Sequence, residues 1–307
     1  MPLFNIGDNT LSKIISVTHR TIIPLIKLKL NNYKLIAIDI DGTLVNDQKQ
    51  LDTDTSNVLA DLATNGIKVM LCTGRPYSGA EPYLKQIGFQ KDTDQYVITH
   101  NGAMISKTEN SLIKALPLNI NFVKEIVIYC INKGLKFHLL TDDYMYTLDD
   151  PISPYTVEES YHTNMLLRPF KNIKELDNLK IFDIMIADDC WILDINENAI
   201  RNHFGKNSEI VRSEPYFIEF IHPEAGKGKA LAYLAQSLGI VAEEVMVIGN
   251  AQNDVSMLEF AGIYVAVANA IPEVKAVSDF VTSSNNNQGV KQAIERLKDH
   301  FNLAVKR

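Results

Sequence analysis

Residues 35–44, LIAIDIDGTL, join a short apolar run to two carboxylates and a glycine. A continuous apolar run, as opposed to an alternating one, is typical of a strand that is covered on both faces. Side chains two positions apart on a strand start on the same side, so we expect Asp39 and Asp41 to be neighbours. Gly42 allows a sharp turn with exposed backbone N–H groups, which favours an anion. The stretch therefore predicts a buried strand that ends in an acidic turn.

Similar apolar runs recur along the chain, separated by stretches with helical periodicity. We expect further strands at 67–72, 96–99, 245–248, 264–267 and 280–282. We expect helices through Val58 and Leu62, at 77–87, 229–238 and 254–261, and from Gly289 onward. Alternation of this kind indicates right-handed crossovers onto a parallel sheet. The predicted fold class is therefore α/β with a parallel, Rossmann-like sheet.

The middle of the chain has a different character. Strand pairs at 136–140 with 144–147, and at 209–211 with 217–221, suggest hairpins, and helices are expected around 122–132 and 196–203. Hairpin-linked strands predict an antiparallel sheet with helices on one face. We therefore predict an N-terminal extension at 1–32, a core at 33–104 and 223–307, and an inserted α+β domain at 105–222.

Composition excludes several classes of protein. The 307 residues carry a net charge of −7, which argues against nucleic acid as a partner. No uninterrupted apolar stretch has the roughly 18 residues that a membrane helix needs, so we expect no membrane partner. The three cysteines are far apart and suggest neither a disulfide framework nor a thiolate zinc site, which favours the cytoplasm. Residues 1–32 lack the apolar centre of a secretory signal and are expected to be a weakly ordered extension or short surface helix.

Polar residues follow three of the predicted parallel strands. They are Asp39 and Asp41, the run Thr73-Gly74-Arg75, and the run from Gly249 to Asp254, and Lys227 opens the helix before the last strand. The carboxyl ends of parallel strands lie at one edge of a sheet, where ligands bind. Two adjacent carboxylates suit a nucleophile with a proton donor, a divalent metal site, or both. Taken singly, Arg75 could be a surface ion-pair partner, Lys227 a solvated side chain and Asp254 a helix N-terminal residue.

These segments together resemble the haloacid dehalogenase-like phosphatases. Residues 39–44, DGTL preceded by Asp-Ile, resemble the first motif of that family, and Thr73-Gly74-Arg75 resembles the second. Residues 227–231, KGKAL, are similar to the third motif, and residues 249–254, GNAQND, to the fourth. The Asn101-Gly102-Ala103 turn and the inserted domain resemble the Cof-type subfamily with a type IIB cap. The resemblance extends over about residues 33–297.

The resemblance implies a role for each residue. Asp39 would attack phosphorus and form an aspartyl-phosphate, while Asp41 would protonate the leaving alcohol and then activate water. Thr73 and Gly74 would hold the phosphoryl oxygens. Lys227 would supply positive charge, and Asn253 would orient the substrate phosphate or Lys227. A Mg²⁺ ion would be held by the Asp39 carboxylate, the Asp41 carbonyl and Asn250, with Asp254 assisting directly or through water.

Position 250 departs from the family pattern. The fourth motif usually begins Gly-Asp, and that aspartate ligates magnesium, whereas this chain has Gly249-Asn250. An amide oxygen can coordinate magnesium but carries no formal charge, so we expect weaker metal binding.

The leading hypothesis is a magnesium-dependent phosphatase of small phosphorylated metabolites such as sugar phosphates, active as a monomer or weak homo-oligomer. Two alternatives stay open: a metabolite-binding or regulatory protein with weakened catalysis, and a phosphotransferase or mutase that uses the same intermediate. The candidate cap residues for the leaving group are His138, Tyr144, Tyr146, Tyr161 and His162. A position in the core of the cap is the other interpretation of these side chains.

Overall fold

The computed structural model describes residues 32–90, 93–148 and 152–301, which form two sheets with helices around them. The strands are β1 Leu35–Asp39, β2 Lys68–Cys72, β3 Tyr96–Thr99, β4 Met104–Lys107, β5 Leu112–Ala115, β6 Phe137–Leu140, β7 Tyr144–Leu148, β8 Leu166–Phe170, β9 Asp183–Ala187, β10 Glu209–Glu214, β11 Phe217–Ile221, β12 Val245–Gly249, β13 Ile263–Ala266 and β14 Phe280–Val281. The α-helices are α1 Thr53–Thr64, α2 Tyr77–Ile87, α3 Ile120–Lys133, α4 Pro154–Thr163, α5 Cys190–Phe204, α6 Lys227–Ser237, α7 Val255–Leu258, α8 Pro272–Val277 and α9 Gly289–Arg296.

The larger sheet has eight strands in the order β14-β13-β12-β1-β2-β3-β4-β5. The six strands from β14 to β3 are parallel, and β4 and β5 are antiparallel additions. Strand β1 lies between β12 and β2, with Ile38 opposite both Ile248 and Leu71. The loops that follow these three strands therefore emerge side by side. The predicted α/β fold with a parallel sheet is confirmed.

The smaller sheet has six strands in the order β10-β11-β9-β6-β7-β8, all antiparallel except for the β7–β8 pair. One face of this sheet packs against α3 and α5 through buried residues such as Ile184, Ile218 and Phe220. Because side chains alternate along a strand, Met185, Phe217 and Glu219 project from the opposite face. That second face points toward the loops of the larger sheet, since these three residues line a cavity with Asp39.

The turn between β3 and β4 and the segment that leads from β11 to α6 meet at two glycines. Gly102 has φ of +99° and Gly226 has φ of +140°, conformations that glycine adopts without strain. A Cβ atom on Gly102 would lie 2.4 Å from the carbonyl carbon and oxygen of Gly226, so no side chain fits between the two segments. The turns predicted as domain boundaries, near Asn101-Gly102 and at 223–226, therefore touch each other.

Three details differ from the sequence-based expectation. Residues 105–115 lie in the larger sheet instead of the insertion, because His100, Asn101 and Gly102 all have positive φ and turn the chain back along β3. Helix α7 is a single turn, Val255–Leu258, where 254–261 was expected. Helix α4 and strands β8 and β9 were not predicted individually. The N-terminal extension lies outside the described residues except for Asn32, and no helix in the described ranges is long and apolar enough to cross a membrane.

Candidate active site

The acidic turn after β1 is built around Gly42. This residue has φ of +72°, and the chain closes a tight loop in which the Val45 N–H donates to the Ile40 carbonyl oxygen at 3.1 Å. The positive φ favours glycine, and a Cβ atom at position 42 would lie 2.5 Å from Asn250 Nδ2, so that side chain would have to shift. The absence of a side chain lets the loop after β12 pack directly onto the turn after β1.

Lys227 occupies the centre of the site between two carboxylates. Its Nζ lies 2.7 Å from Asp39 Oδ1 and 2.7 Å from Asp254 Oδ1, and all three side chains are almost fully buried. Burial acts to lower the pKa of Lys227, but Asp254 and Asp39 outweigh it and hold the pKa above its usual range. Asp39, Lys227 and Asp254, from three segments that were predicted to lie at one edge of the sheet, therefore meet in the structure.

The position of Lys227 depends on the glycine that follows it. A Cβ atom on Gly228 would lie 2.0 Å from the backbone oxygen of Ser256, so α6 begins in direct backbone contact with α7. The Gly228 N–H also donates to Ser256 Oγ at 3.1 Å. This close packing brings the first residue of α6 under the strand ends, where Lys227 reaches both carboxylates.

Asp39 has one oxygen engaged and one free. Oδ1 accepts from Lys227, while Oδ2 is buried and has no hydrogen-bond partner in the described part of the chain. Burial, reinforced by Asp254 and opposed by Lys227, raises the pKa of Asp39 to about 7. A further cation beside Oδ2 would stabilise the ionised form, so an unpartnered hard oxygen at this point fits a magnesium ion.

Asn250 and Asp254 differ in what they offer a metal. The Asn250 Oδ1 accepts from Thr43 Oγ1 at 3.0 Å, and the residue lines the same cavity as Asp39. Asp254 uses one oxygen for Lys227, and its Oδ2 accepts from the N–H groups of Asn250 and Ala251 at 2.9 and 3.0 Å. The structure thus places Asn250 in the same cavity as Asp39 and uses Asp254 to hold Lys227 and the loop.

Asp41 belongs to a separate ion-pair cluster. Arg75 donates from Nε to Oδ2 and from Nη2 to Oδ1, both at 2.7 Å, and Lys49 Nζ donates to Oδ1 at 2.7 Å. Burial alone would raise the pKa of Asp41, but Arg75 and then Lys49 hold it well below its usual range. Arg75 also donates from Nη1 to the His162 carbonyl oxygen at the end of α4, at 3.0 Å. Arg75 is therefore a buried link between the acidic turn and the inserted domain and not a surface residue.

The remaining predicted binding residues lie at the same edge of the sheet. Thr73 and Gly74 line the cavity, and the Thr73 hydroxyl oxygen accepts from the Arg75 N–H at 3.0 Å. Asn253 does not contact Lys227; its Nδ2 donates to Asn101 Oδ1 at 3.1 Å, and Asn101 in turn donates to the Glu219 carboxylate. This chain of hydrogen bonds connects the loop after β12 to strand β11 of the smaller sheet.

A cavity of about 440 Å³ separates the two sheets at this point. The inserted domain contributes one face of α4 and the turn between β10 and β11. Tyr155 and Tyr216 stack there with ring centroids 4.7 Å apart and an interplanar angle of 9°. Glu159 also lines the cavity, and burial, then Glu219 and Asp41, raise its pKa to about 7. The space is large enough for a small organic molecule.

Of the five candidate cap residues, His162 alone lines this cavity. His138 is buried, with Nδ1 2.9 Å from Thr156 Oγ1 and Nε2 3.0 Å from Met185 Sδ. Tyr144 lies under the Arg168 guanidinium, 3.4 Å from the ring centroid, and Tyr161 is 83% exposed. Tyr146 packs against the core formed with α3 and α5. None of these four side chains lines the cavity.

Several cavity residues were not identified from the sequence. Lys49 and Glu159 carry no motif, and the Tyr155–Tyr216 stack joins residues 61 positions apart. The alternation of β11, read from Phe217 to Ile221, could have placed Glu219 on the face opposite the helices. For Lys49, which follows the acidic turn in a loop, no sequence signal was available.

Comparison with known proteins agrees with this geometry. The haloacid dehalogenase-like hydrolase family matches residues 36–294, which shows that the chain belongs to this family. A solved structure of a subclass IIB sugar phosphatase has the same fold, with a TM-score of 0.75 at 24% identity, covering 86% of this chain and 99% of that one. The chain is a phosphatase of the haloacid dehalogenase-like family.

Individual relatives match most of the chain. The chain is 39% identical to the putative phosphatase YxeH of Bacillus subtilis over 267 residues, covering 86% of this chain and 98% of the relative. It is 30% identical to the 5-amino-6-(5-phospho-D-ribitylamino)uracil phosphatase YwtE of Bacillus subtilis, covering 86% and 98%. A haloacid dehalogenase-like hydrolase structure from Bacteroides thetaiotaomicron superposes with a TM-score of 0.79 at 28% identity, covering 86% of this chain and 99% of that one.

Proposed function

We propose that this chain is a Mg²⁺-dependent phosphatase that hydrolyses small phosphorylated metabolites through an aspartyl-phosphate on Asp39. The observation that carries the proposal is the Asp39 carboxylate, which is buried at the end of the cavity, held by Lys227 through Oδ1 and unpartnered at Oδ2. A buried carboxylate that a lysine holds in place is oriented for attack, and its unpartnered oxygen suits a metal ion.

In the first step the Asp39 carboxylate forms a bond to phosphorus as the ester P–O bond breaks, and the leaving alkoxide takes a proton from Asp41. In the second step water attacks the phosphorus of the aspartyl-phosphate and gives a proton to Asp41. The bond between phosphorus and the Asp39 oxygen breaks, which restores the Asp39 carboxylate. Thr73 and Gly74 would bind phosphoryl oxygens, and Lys227 would stabilise their charge. Asn253, which reaches Asn101 and not Lys227, would orient the loop and the substrate phosphate.

The two roles of Asp41 require different surroundings. Paired with Arg75 and Lys49, Asp41 is ionised and suits the second step, in which it accepts a proton. For the first step a proton has to reside on Asp41, so its carboxyl must move away from the Arg75 pair. We expect substrate entry to bring about this rearrangement, because the cavity that admits the leaving group is bounded by the same three side chains.

The metal would be held by Asp39 Oδ2, the Asp41 carbonyl oxygen and Asn250 Oδ1. When bound, Mg²⁺ would neutralise the phosphoryl oxygens and reduce the repulsion between two anions. Asp254, whose oxygens are both engaged, would act by positioning Lys227. The inserted domain would exclude bulk water and large substrates from the cavity. Sugar phosphates and the ribityl phosphate named for one relative are of suitable size.

The proposal is tested by hydrolysis of p-nitrophenyl phosphate with and without magnesium, beside the variant Asp39→Asn. We expect magnesium-dependent turnover that the substitution abolishes, and a trapped phosphoenzyme in rapidly quenched wild-type protein. Binding of phosphorylated compounds without turnover would instead support a metabolite-binding protein. Transfer of the phosphoryl group to an added sugar in preference to water would support a phosphotransferase.

A further inference from the structure

The wall of the cavity that the inserted domain forms, opposite Asp39, is acidic. Four glutamates of the inserted domain line it, whereas lysine and arginine are absent from the described cavity residues of that domain; the glutamates are Glu158, Glu159, Glu214 and Glu219. This wall is where the part of the substrate beyond the phosphate has to lie. Its charge therefore bears on the leaving group, which the proposed function leaves undefined.

The cations in the cavity are already engaged. Lys49 and Arg75 both come from the larger domain and both pair with the Asp41 carboxylate at 2.7 Å. Lys227 is held between two carboxylates. A second phosphate or a carboxylate on the leaving group would thus meet no unpaired cation among the described residues around it, and would face four glutamates.

Among the described residues, two acceptors of the same cavity, on Glu159 and Asn253, are free. The Glu159 carboxylate makes no hydrogen bond or ion pair within the described ranges, in contrast to Glu158, which reaches His162 Nε2 at 3.4 Å. Asn253 Oδ1 is a second acceptor in this cavity, buried and without a donor from the described chain. The stacked rings of Tyr155 and Tyr216 lie beside them, and aromatic faces attract cations.

Free acceptors, a negative wall and aromatic faces are together complementary to a hydrogen-bond donor with positive charge. We infer that the leaving group carries a basic amine, so that the substrates are phosphate monoesters of amino alcohols or amino sugars. The ammonium group would bind Glu159 and Asn253 Oδ1. This inference rests on the proposed function and specifies the substrate class of the same site.

The experiment compares glucosamine 6-phosphate with glucose 6-phosphate, which differ only in the group on carbon 2 of the ring, and adds 6-phosphogluconate as an open-chain carboxylate with the same number of carbons. We expect kcat/KM to be about tenfold higher for the ammonium compound than for the neutral one, and lower again for the carboxylate, since hydrogen bonds between charged groups are the strong ones. In Glu159→Gln the preference for the ammonium compound over the neutral one should fall to less than threefold. Glu209→Gln, which removes the same charge from an exposed position of β10, is the control and should retain the preference.

A binding measurement separates this inference from the proposed function. Calorimetry on Asp39→Asn with the same three compounds reports their relative affinity whether or not the wild-type protein turns them over. Hydrolysis of the neutral compound with no preference for the amine, or a preference that survives Glu159→Gln, would overturn the inference and leave the phosphatase intact. Failure of all phosphates to be hydrolysed, with the amine still bound more tightly, would overturn the phosphatase and the substrate class, and would leave only the recognition of the amine.

Discussion

The two walls of the cavity differ in whether their carboxylates have cationic partners. On the side of the eight-stranded sheet each acidic group has a cationic partner, with Lys227 between Asp39 and Asp254, and Arg75 on Asp41. On the side of the inserted domain, Glu159 and Glu219 form no ion pair within the described residues, and burial raises the pKa of both. The first wall is organised before a phosphate arrives, whereas the second leaves the Glu159 carboxylate for a ligand.

Removal of the central cation should have the largest effect. In Lys227→Met two buried carboxylates lose their partner, so we expect the free energy of unfolding to fall by about 3–5 kcal/mol. Activity should fall by about 10²- to 10³-fold or more, because charge stabilisation of the phosphoryl group is lost. Chemical denaturation and p-nitrophenyl phosphate assays measure the two effects separately.

The double variant Lys227→Met, Asp254→Asn distinguishes stability from catalysis. It removes one of the two unpaired charges, so most of the lost stability should return while activity stays low. If the double variant were as unstable as the single one, the repulsion between Asp39 and Asp254 would not be the cause of the loss. Recovery of activity would show that Lys227 acts only through Asp254.

Arg75 is the point at which the two walls meet. Its substitution by lysine keeps the charge but loses the two-pronged contact with Asp41 and the bond to the His162 carbonyl oxygen. We expect kcat/KM to fall about 10- to 100-fold. Ser78→Ala is the matched control, because Ser78 Oγ donates to the neighbouring Thr163 carbonyl oxygen at 2.9 Å without touching Asp41. An equal loss in both variants would mean that domain contact, and not Asp41, accounts for the effect.

The contrast between the walls also explains what the sequence could predict. The segments that carry Asp39 and Asn250 follow parallel strands, and topology alone brings the ends of β12, β1 and β2 together, so these two residues could be placed from the sequence. Lys227 begins a helix and was identified through the resemblance of KGKAL to the third motif of the family. Cap residues reach the cavity from α4 and from the β10–β11 turn, and their placement depends on how the inserted sheet is oriented. That orientation arises from packing and from the Gly102–Gly226 crossing, which leave no pattern in the local sequence.

Two buried histidines, one in each region, test how acid affects the molecule. Burial lowers the pKa of His100, beside β3, and of His138, in β6, to about 3 in each case. Because the folded pKa lies below the unfolded value of about 6.5, stability is complete above pH 6.5 and is lost as the pH falls toward 3. At pH 5 each buried histidine should lower the free energy of unfolding by about 2 kcal/mol. This is because pH 5 lies about 1.5 pH units below 6.5, and each unit corresponds to about 1.4 kcal/mol.

The histidine prediction is checked by the melting temperature between pH 7.5 and 4.5. His138→Gln keeps a partner for Thr156 and cannot take up this proton, so the slope with pH should be reduced by about half. His100→Leu combined with it should remove most of the slope. An unchanged slope in the double variant would assign the acid sensitivity to other groups.

Asn250→Asp should have the smallest effect on activity, and it changes the wall on the side of the eight-stranded sheet, where the phosphate would bind. A carboxylate at this position adds a formal charge beside Asp39 Oδ2, so the magnesium concentration for half-maximal activity should fall about tenfold. Without metal the same charge adds repulsion next to Asp39, and the melting temperature should drop and then recover as magnesium is added. Asn253→Asp makes the same change three residues later, at a side chain that bonds Asn101, and should leave the magnesium requirement nearly unchanged. Equal shifts in the two variants would mean that the added charge acts at long range, and that position 250 does not hold the metal.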